Sequence, residues 1–283
     1  MPFHAFTTFS KSNQRMILLL IASHLVWAFA LVGFWSCGRL FESSSPLWSG
    51  LFLALQLYAA AQLLLPALLM HPEERNRGFY LFWGSALLLS VWLLDQASPA
   101  ATWLPLLNSF KSALLLLVAT LTGAALARYV RRLWEIVPVC LVMTLADFYS
   151  WLYGPTAGFA QSIQQYYQAP DGTPPLVDMI LVKLAFPGAS DLLPSFGISD
   201  WIMVVFFAMV AARHEVNDNL LGSIGEKQAR QGKIGSYLPV SVVALFLAMI
   251  LAQTTGRFVP ALPVIAMVMM VWYALRYLIL NRR

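Results

Sequence analysis

The sequence predicts an all-α fold, a polytopic bundle of about eight transmembrane helices, and three observations lead to this prediction. Hydrophobic residues make up 59% of the 283-residue chain and charged residues only 11%, whereas about a quarter of a soluble domain is charged. The mean hydropathy is +0.69. Several apolar runs exceed the roughly 18 residues that a helix needs to cross a bilayer. The net charge of +5 therefore reflects membrane topology, and we expect no nucleic-acid partner.

Eight apolar segments are long enough, or nearly so, to be membrane spans. They cover residues 16–36, 47–70, 78–96, 108–127, 133–153, 198–214, 237–254 and 258–280. We expect two halves. Residues 1–132 form an N-terminal transmembrane scaffold of four helices, and residues 133–283 form a second half of four helices that contains the chemistry.

The distribution of basic residues supports this count. With eight spans, 14 of the 18 lysines and arginines fall on one side of the membrane, and only Arg39, Lys111, Lys183 and Arg257 fall on the other. Because positive charge accumulates in cytoplasmic loops, both termini are predicted to be cytoplasmic. We expect a multi-pass protein of a prokaryotic cytoplasmic membrane.

Polar residues in the first half are few. His24, Gln56, Gln62 and Asn108 lie in or near the apolar segments, where such groups usually bond neighbouring helices and have a structural role. None of the four histidines of the chain is paired at a metal-ligand spacing. We therefore expect no metal and no cofactor.

Two acidic residues, Asp147 and Asp200, interrupt the apolar segments of the second half. A carboxylate at that depth costs about 2.5–3.5 kcal/mol on insertion scales, so it marks a functional site by default. Asp147 lies 15 residues after Arg132 and Asp200 lies 13 residues before Arg213. At 1.5 Å per residue these separations are about 22 Å and 20 Å. If both arginines flank the same membrane face, the two carboxylates lie at one depth and form a pair.

The connections of the second half differ in character. The longest, residues 154–196, is predicted to lie on the non-cytoplasmic side; its apolar part, residues 176–186, is too short to span as a helix, and we expect it to be interfacial, re-entrant or extended. The polar connection at residues 217–236 is interpreted as a solvated loop.

The last span opens with the sequence Pro260-Ala261-Leu262-Pro263. Two prolines remove backbone donors and loosen the first turn. Irregular backbone at membrane depth is tolerated only where protein or a water-filled cavity surrounds it. We therefore expect this segment to face the same interior as the two aspartates.

Together these stretches resemble the presenilin and signal peptide peptidase family, the GxGD intramembrane aspartyl proteases, and the chain looks like a prokaryotic-type homologue. The family has an aspartate on one helix, Gly-x-Gly-Asp on the next and Pro-Ala-Leu at the head of the last. Here the stretches read Ala146-Asp147, Gly197-Ile198-Ser199-Asp200 and Pro260-Ala261-Leu262-Pro263, in the same order. The resemblance covers the second half of the chain.

The resemblance implies peptide hydrolysis within transmembrane segments by a dyad of Asp147 and Asp200. It also implies that residues 197–199 and 260–263 bind substrate, and that substrates are single-span proteins or signal peptides in the lipid bilayer. Two departures bear on activity: Ala146 replaces the family's tyrosine, and Ser199 replaces the second glycine of its motif.

Two other classes of function stay open. A proton-coupled transporter also uses acids near the midplane and broken helices, although no internal repeat relates the two halves. The third interpretation is a catalytically silent relative that binds membrane proteins.

Overall fold

The structure is a computed structural model, and it describes residues 11–41, 45–69, 76–96, 103–154, 156–168, 174–255 and 259–280. The α-helices are α1 (Lys11–Gly38), α2 (Pro46–Ala61), α3 (Leu64–Leu68), α4 (Arg77–Asp95), α5 (Leu104–Ala127), α6 (Ile136–Leu152), α7 (Thr156–Gln168), α8 (Ile198–Arg213), α9 (Gly222–Arg230), α10 (Val240–Thr255) and α11 (Ala261–Leu280). Short 3-10 turns cover Leu133–Glu135 and Leu176–Ile180, and two strands, β1 (Leu181–Leu184) and β2 (Leu193–Gly197), form an antiparallel hairpin.

The prediction of a mostly helical, multi-pass membrane protein is confirmed in its general form. Six helical stretches are long and apolar enough to cross a bilayer: Gln14–Gly38, Pro46–Leu68, Arg77–Asp95, Leu104–Ala127, Leu133–Leu152 and Ala261–Leu278. The other two predicted segments are also helical, but α8 and α10 have only 16 residues each. Of the basic residues counted above, Arg75, Arg257, Arg282 and Arg283 lie outside the described residues.

Helix α5 is the centre of the bundle, and α6 lies at its edge. Within the spans, 72% of α5 is buried inside the protein, against 11% of the stretch that contains α6. Helix α5 packs against α1, α4, α8 and β1, whereas α6 packs mainly against α11 and, more lightly, against α7. Most of the α6 surface is therefore left to contact lipid or another transmembrane segment.

The contact between α5 and α8 depends on Gly123. A Cβ atom at this position would lie 2.5 Å from the Ile202 carbonyl oxygen and 2.7 Å from the Val205 Cβ. Small residues at helix interfaces allow such close backbone approach in membranes, where dispersion contacts rather than water exclusion drive helix association. Gly123 thus sets the distance between the central helix and α8.

The break between α2 and α3 has a local cause. Pro66 has no N–H to donate, and its ring collides with the carbonyl of the residue four positions earlier, Gln62. The helix accordingly breaks at Gln62 and Leu63 and resumes at Leu64. The break turns the Gln62 side chain toward a neighbouring loop, where it donates to the Tyr237 carbonyl at 2.8 Å.

The hairpin leads directly into the short helix α8. Sixteen helical residues rise only about 24 Å, less than the ~30 Å hydrocarbon core, and β2 runs directly into the first residue of α8. The part of residues 176–186 that was expected to be interfacial, re-entrant or extended contains a 3-10 turn and then strand β1. Helix α7, on the other hand, was not predicted.

The outer edge of β1 is closed by side chains of the helices. The Lys183 N–H donates to the Ser112 hydroxyl at 2.9 Å. The Gln56 side chain accepts from the Ala185 N–H and donates to the Ala185 carbonyl, both at 2.8 Å, as a neighbouring strand would. These bonds satisfy strand backbone that has no water at membrane depth.

The hairpin packs at one end of the bundle, which we call the hairpin end. Here Lys183 and Asp178 form a buried ion pair at 2.7 Å, and the Tyr167 hydroxyl donates to Asp178 at 2.9 Å. The Asn108 amide donates to Asp191 at 2.8 Å. Burial raises the pKa of Asp191, since desolvation outweighs the backbone N–H of Leu192 and the Lys183 charge.

The opposite end, which we call the α9 end, is also held by side chains bonded to loops and helix termini. The Gly235 N–H donates to Gln62 at 2.9 Å, and Arg213 donates to the carbonyl of Arg128 at 2.7 Å. Gln56, Gln62 and Asn108 therefore have the expected structural role, but their partners lie in the hairpin and in loops and not in neighbouring helices. Helices already satisfy their own backbone groups, whereas loops that enter the membrane need partners.

Candidate functional site

Asp200 lies in the first turn of α8, immediately after the hairpin. The Gly197 N–H donates to Asp200 Oδ2 at 2.9 Å, which caps the helix start. A Cβ at Gly197 would meet Ser199 Oγ at 3.3 Å and Asp200 Oδ2 at 3.5 Å, so the glycine leaves room for the carboxylate to fold back. Ile198 is half-buried, whereas Ser199 is exposed.

Trp201 fixes the start of α8 against its neighbours. Its ring stacks on Phe196 of β2 with a centroid distance of 6.1 Å, and its indole N–H donates to the Thr120 hydroxyl of α5 at 3.3 Å. Trp201 is fully buried. The residue next to Asp200 is thus locked between the hairpin and the central helix.

Asp147 lies on α6 and is half-buried. The backbone N–H of Leu262 lies beside its carboxyl group. Leu262 is the second residue of α11, where backbone N–H groups have no partner within the helix. The Asp147 carboxylate therefore lies at the start of the last helix, and the positive end of that helix favours its negative charge.

Pro260 and Pro263 have no backbone N–H, whereas Leu262 between them keeps its own. Helix α11 begins at Ala261, between buried Pro260 and buried Pro263. Pro263 falls in the first turn, where a missing N–H costs no intrahelical bond. The segment places the first-turn N–H of Leu262 beside Asp147.

Asp147 and Asp200 lie on separate helices, α6 and α8. They lie close enough for their charges to interact. Helix α11 packs against both α6 and α8, and it thereby links the two helices that hold the carboxylates. Of the predicted site residues, Gly197 bonds to Asp200, and Leu262 lies beside Asp147.

The hairpin forms a further boundary of the site through β2. The sheet has two strands in the described chain, and β1 is closed on its outer side, so the free edge belongs to β2. This edge leads to Gly197, three residues before Asp200. Residues 176–186 therefore provide the inner, covered strand of the hairpin, and the half-buried outer strand β2 is one that the sequence did not indicate.

The cavity that the structure shows lies among helices other than those that hold the two aspartates. A cavity of about 190 Å³ lies among α1, α4 and α5 and is lined by apolar groups and the His24 ring. In the part of the chain that the structure describes, no three histidine, cysteine or acidic side chains are grouped so as to hold a metal ion.

A third buried acid, Asp218, was missed. Asp218 follows α8 at the α9 end, is 1% exposed, and accepts hydrogen bonds from the Tyr237 hydroxyl at 3.2 Å. Burial, and next the charge of Glu226, raises the pKa of Asp218 well above its ordinary value. The Asn-Asp-Asn run at residues 217–219 indicated a turn, but no sequence signal showed that the middle residue would be enclosed by α10 and α11.

Comparison of the chain with models of protein families, with curated proteins and with solved structures finds no match. The functional conclusion therefore depends on the residues and the geometry described above.

Proposed function

We propose that the protein is an intramembrane aspartyl protease, similar to presenilin and signal peptide peptidase, which hydrolyses peptide bonds within transmembrane segments. One observation carries the proposal: Asp147 and Asp200, on separate helices, lie within range of each other's charge, and the start of α11 lies beside Asp147. The order of the three motifs along the chain supports the same conclusion.

The chemistry needs one ionised and one protonated carboxyl group. The ionised group takes a proton from water as the water oxygen attacks the scissile carbonyl carbon, and the protonated group donates to the carbonyl oxygen. Collapse of the resulting tetrahedral intermediate breaks the C–N bond and returns a proton to the amine. Two acids close together favour this arrangement because both ionise together only at high cost.

The state of each carboxyl group follows from its surroundings. Asp200 accepts the Gly197 N–H, and Asp147 lies beside the Leu262 N–H. A nearby donor favours the ionised form of a carboxyl group, and the bond from Gly197 holds the orientation of Asp200 while the shared proton moves. We therefore assign the roles of proton acceptor and proton donor to the two carboxyl groups jointly, and neither role to one residue alone.

The substrate must be extended at the cleavage point, since a helix shields its own amides. The free edge of β2 offers backbone groups for an added strand, and strand addition is a common mode of peptide recognition. Pro194 in β2 has no N–H, so this edge offers fewer donors than a full strand. A substrate strand paired with β2 would run alongside it toward Asp200.

The same proposal includes the membrane arrangement. We infer eight crossings, with α8 extended by β2 and with both termini in the cytoplasm of a prokaryotic cell. The contacts described above are compatible with alternating helix directions, since the hairpin and α9 lie at opposite ends of the bundle.

The test is cleavage of a single-span reporter by the purified protein in bilayers. Asp147→Asn and Asp200→Asn should each reduce the rate at least a thousandfold while the thermal unfolding midpoint stays within a few degrees, because asparagine preserves shape and removes a charge that is costly to bury. Glu215→Gln, an exposed acid just beyond the other end of α8, is the matched control and should cleave normally.

Cleavage retained by either asparagine variant would exclude the dyad from the reaction. If the wild-type protein instead moves protons with a solute across sealed vesicles and cleaves no reporter, the transporter becomes the better assignment.

A further inference from the structure

One surface at the α9 end combines exposed apolar and basic side chains, and we call it the α9 surface. Its apolar members are Leu220, Leu221, Ile224 and Ile234, which are 43%, 45%, 71% and 80% exposed. Its basic members are Lys227 and Lys233, both exposed. The connection at residues 217–236 was expected to be a solvated loop. Part of it is instead helix α9, and part of its exposed surface is apolar.

Helix α9 is fixed with this surface outward. Gly225 and Ala229, one turn apart, are buried against the bundle. A Cβ at Gly225 would lie 2.8 Å from the Leu221 Cβ and 3.0 Å from the Ser236 carbonyl oxygen, so the helix approaches its neighbours closely. Ile224 and Lys227, three residues apart, share the opposite face.

The position of the surface follows from its bonds to α2. The Gly235 carbonyl accepts from the Tyr58 hydroxyl at 2.7 Å, and the Gly235 N–H donates to Gln62 at 2.9 Å. Gln62 lies within the Pro46–Leu68 stretch that is long and apolar enough to span, at the break before α3. Ile234, next to Gly235, is therefore held beside a segment that we expect to cross the bilayer.

The charges of the surface are positive on balance. Arg230 is paired with Glu226 at 2.9 Å, but no ion pair of Lys227 or Lys233 occurs in the described part of the chain. Lysine stems lie along apolar surface while their ammonium groups reach the headgroup layer. Exposed apolar groups with exposed cations beside them are typical of segments that bind anionic membranes.

We propose that the α9 surface binds anionic phospholipids of the adjacent leaflet. Ile224 and Ile234 contact the acyl chains, and Lys227 and Lys233 bind the phosphate groups. The inference needs neither the protease assignment nor the orientation of the protein, because it depends only on the position of Gly235 beside α2 and on the charge of its neighbours.

The test uses the full-length protein in nanodiscs of phosphatidylcholine, with or without phosphatidylglycerol. We expect phosphatidylglycerol to raise the thermal unfolding midpoint by several degrees, because a ligand that binds only the folded state stabilises it. The double variant Lys227→Gln, Lys233→Gln should lose more than half of this rise. Lys227→Arg with Lys233→Arg should retain it, and so should Arg39→Gln, which removes an exposed cation at the hairpin end.

A full rise in the double glutamine variant, or an equal midpoint in both lipids, would overturn the proposal.

A second measurement remains valid if the glutamine variant does not fold. A nitroxide attached to Ile234→Cys, in a background without Cys37 and Cys140, should be more accessible to oxygen than to an aqueous nickel complex. The same label at Glu215 should show the reverse order. A water-exposed label at residue 234 would refute the contact with acyl chains, and with it a lipid-binding surface.

Discussion

Substitution of Gly123 by alanine tests how closely the position of Asp200 depends on the packing of α5 against α8. The added Cβ would lie 2.5 Å from the Ile202 carbonyl oxygen, and both this atom and the nearby Val205 Cβ belong to rigid parts of a helix. To restore an ordinary contact of 3.4 Å, α8 must move by about 0.9 Å. Ile202 is only two residues from Asp200, so the carboxylate moves with it.

Two magnitudes follow from this displacement. Overpacking of a well-packed interface typically costs about 1–3 kcal/mol, and we expect a loss of this size in the free energy of unfolding of Gly123→Ala. A misplacement of about 1 Å costs on the order of a hundredfold in rate, and we expect cleavage of the reporter to fall accordingly. Unfolding in detergent and cleavage in bilayers measure the two effects separately.

The matched control is Gly84→Ala, because Gly84 is also within a membrane-spanning helix but a Cβ there would meet nothing within 4 Å. Alanine is favoured over glycine in a helix by roughly 0.5–1 kcal/mol, so this variant should be as stable as the wild type or slightly more stable. Equal stability and equal cleavage in both variants would refute the proposed close approach of α5 and α8. Lost stability with unchanged cleavage would refute only the link from α8 position to Asp200.

Three further predictions concern the Leu262 N–H, Asp218 and the orientation. Leu262→Pro removes the backbone N–H that lies beside Asp147, in a helix turn that tolerates proline. This variant should cleave the reporter at least tenfold more slowly than Leu262→Ala, which keeps the N–H. Equal rates in the two variants would show that this N–H has no role in cleavage. Because burial raises the pKa of Asp218, its contribution to stability is complete below the ordinary carboxyl pKa and is lost as pH rises through the raised value, at about 1.4 kcal/mol per pH unit. Thermal unfolding of Asp218→Asn should therefore depend less on pH across that window than unfolding of the wild type, and parallel curves would contradict the shift. A cysteine at Gln165 should react with impermeant reagents only from the non-cytoplasmic side, and labelling from the cytoplasm would reverse the inferred orientation.

Local sequence signals account for the helices and led to the prediction that the two acids form a pair. Apolar runs mark the spans because a bilayer accepts few other residues. The depths of Asp147 and Asp200 follow from a fixed rise per residue measured from Arg132 and Arg213. Such one-dimensional distances remain valid in the folded protein as long as both segments are straight helices.

Tertiary structure alone decided which backbone groups are satisfied and which stay free. Gln56 closes the edge of β1 at Ala185, 129 residues away, and no periodicity in either stretch indicates that contact. The free edge of β2, the enclosure of Asp218 and the position of Ile234 result from pairings of the same kind. In the membrane interior each non-helical backbone group needs a protein partner, and that partner is chosen by the packing of the whole bundle.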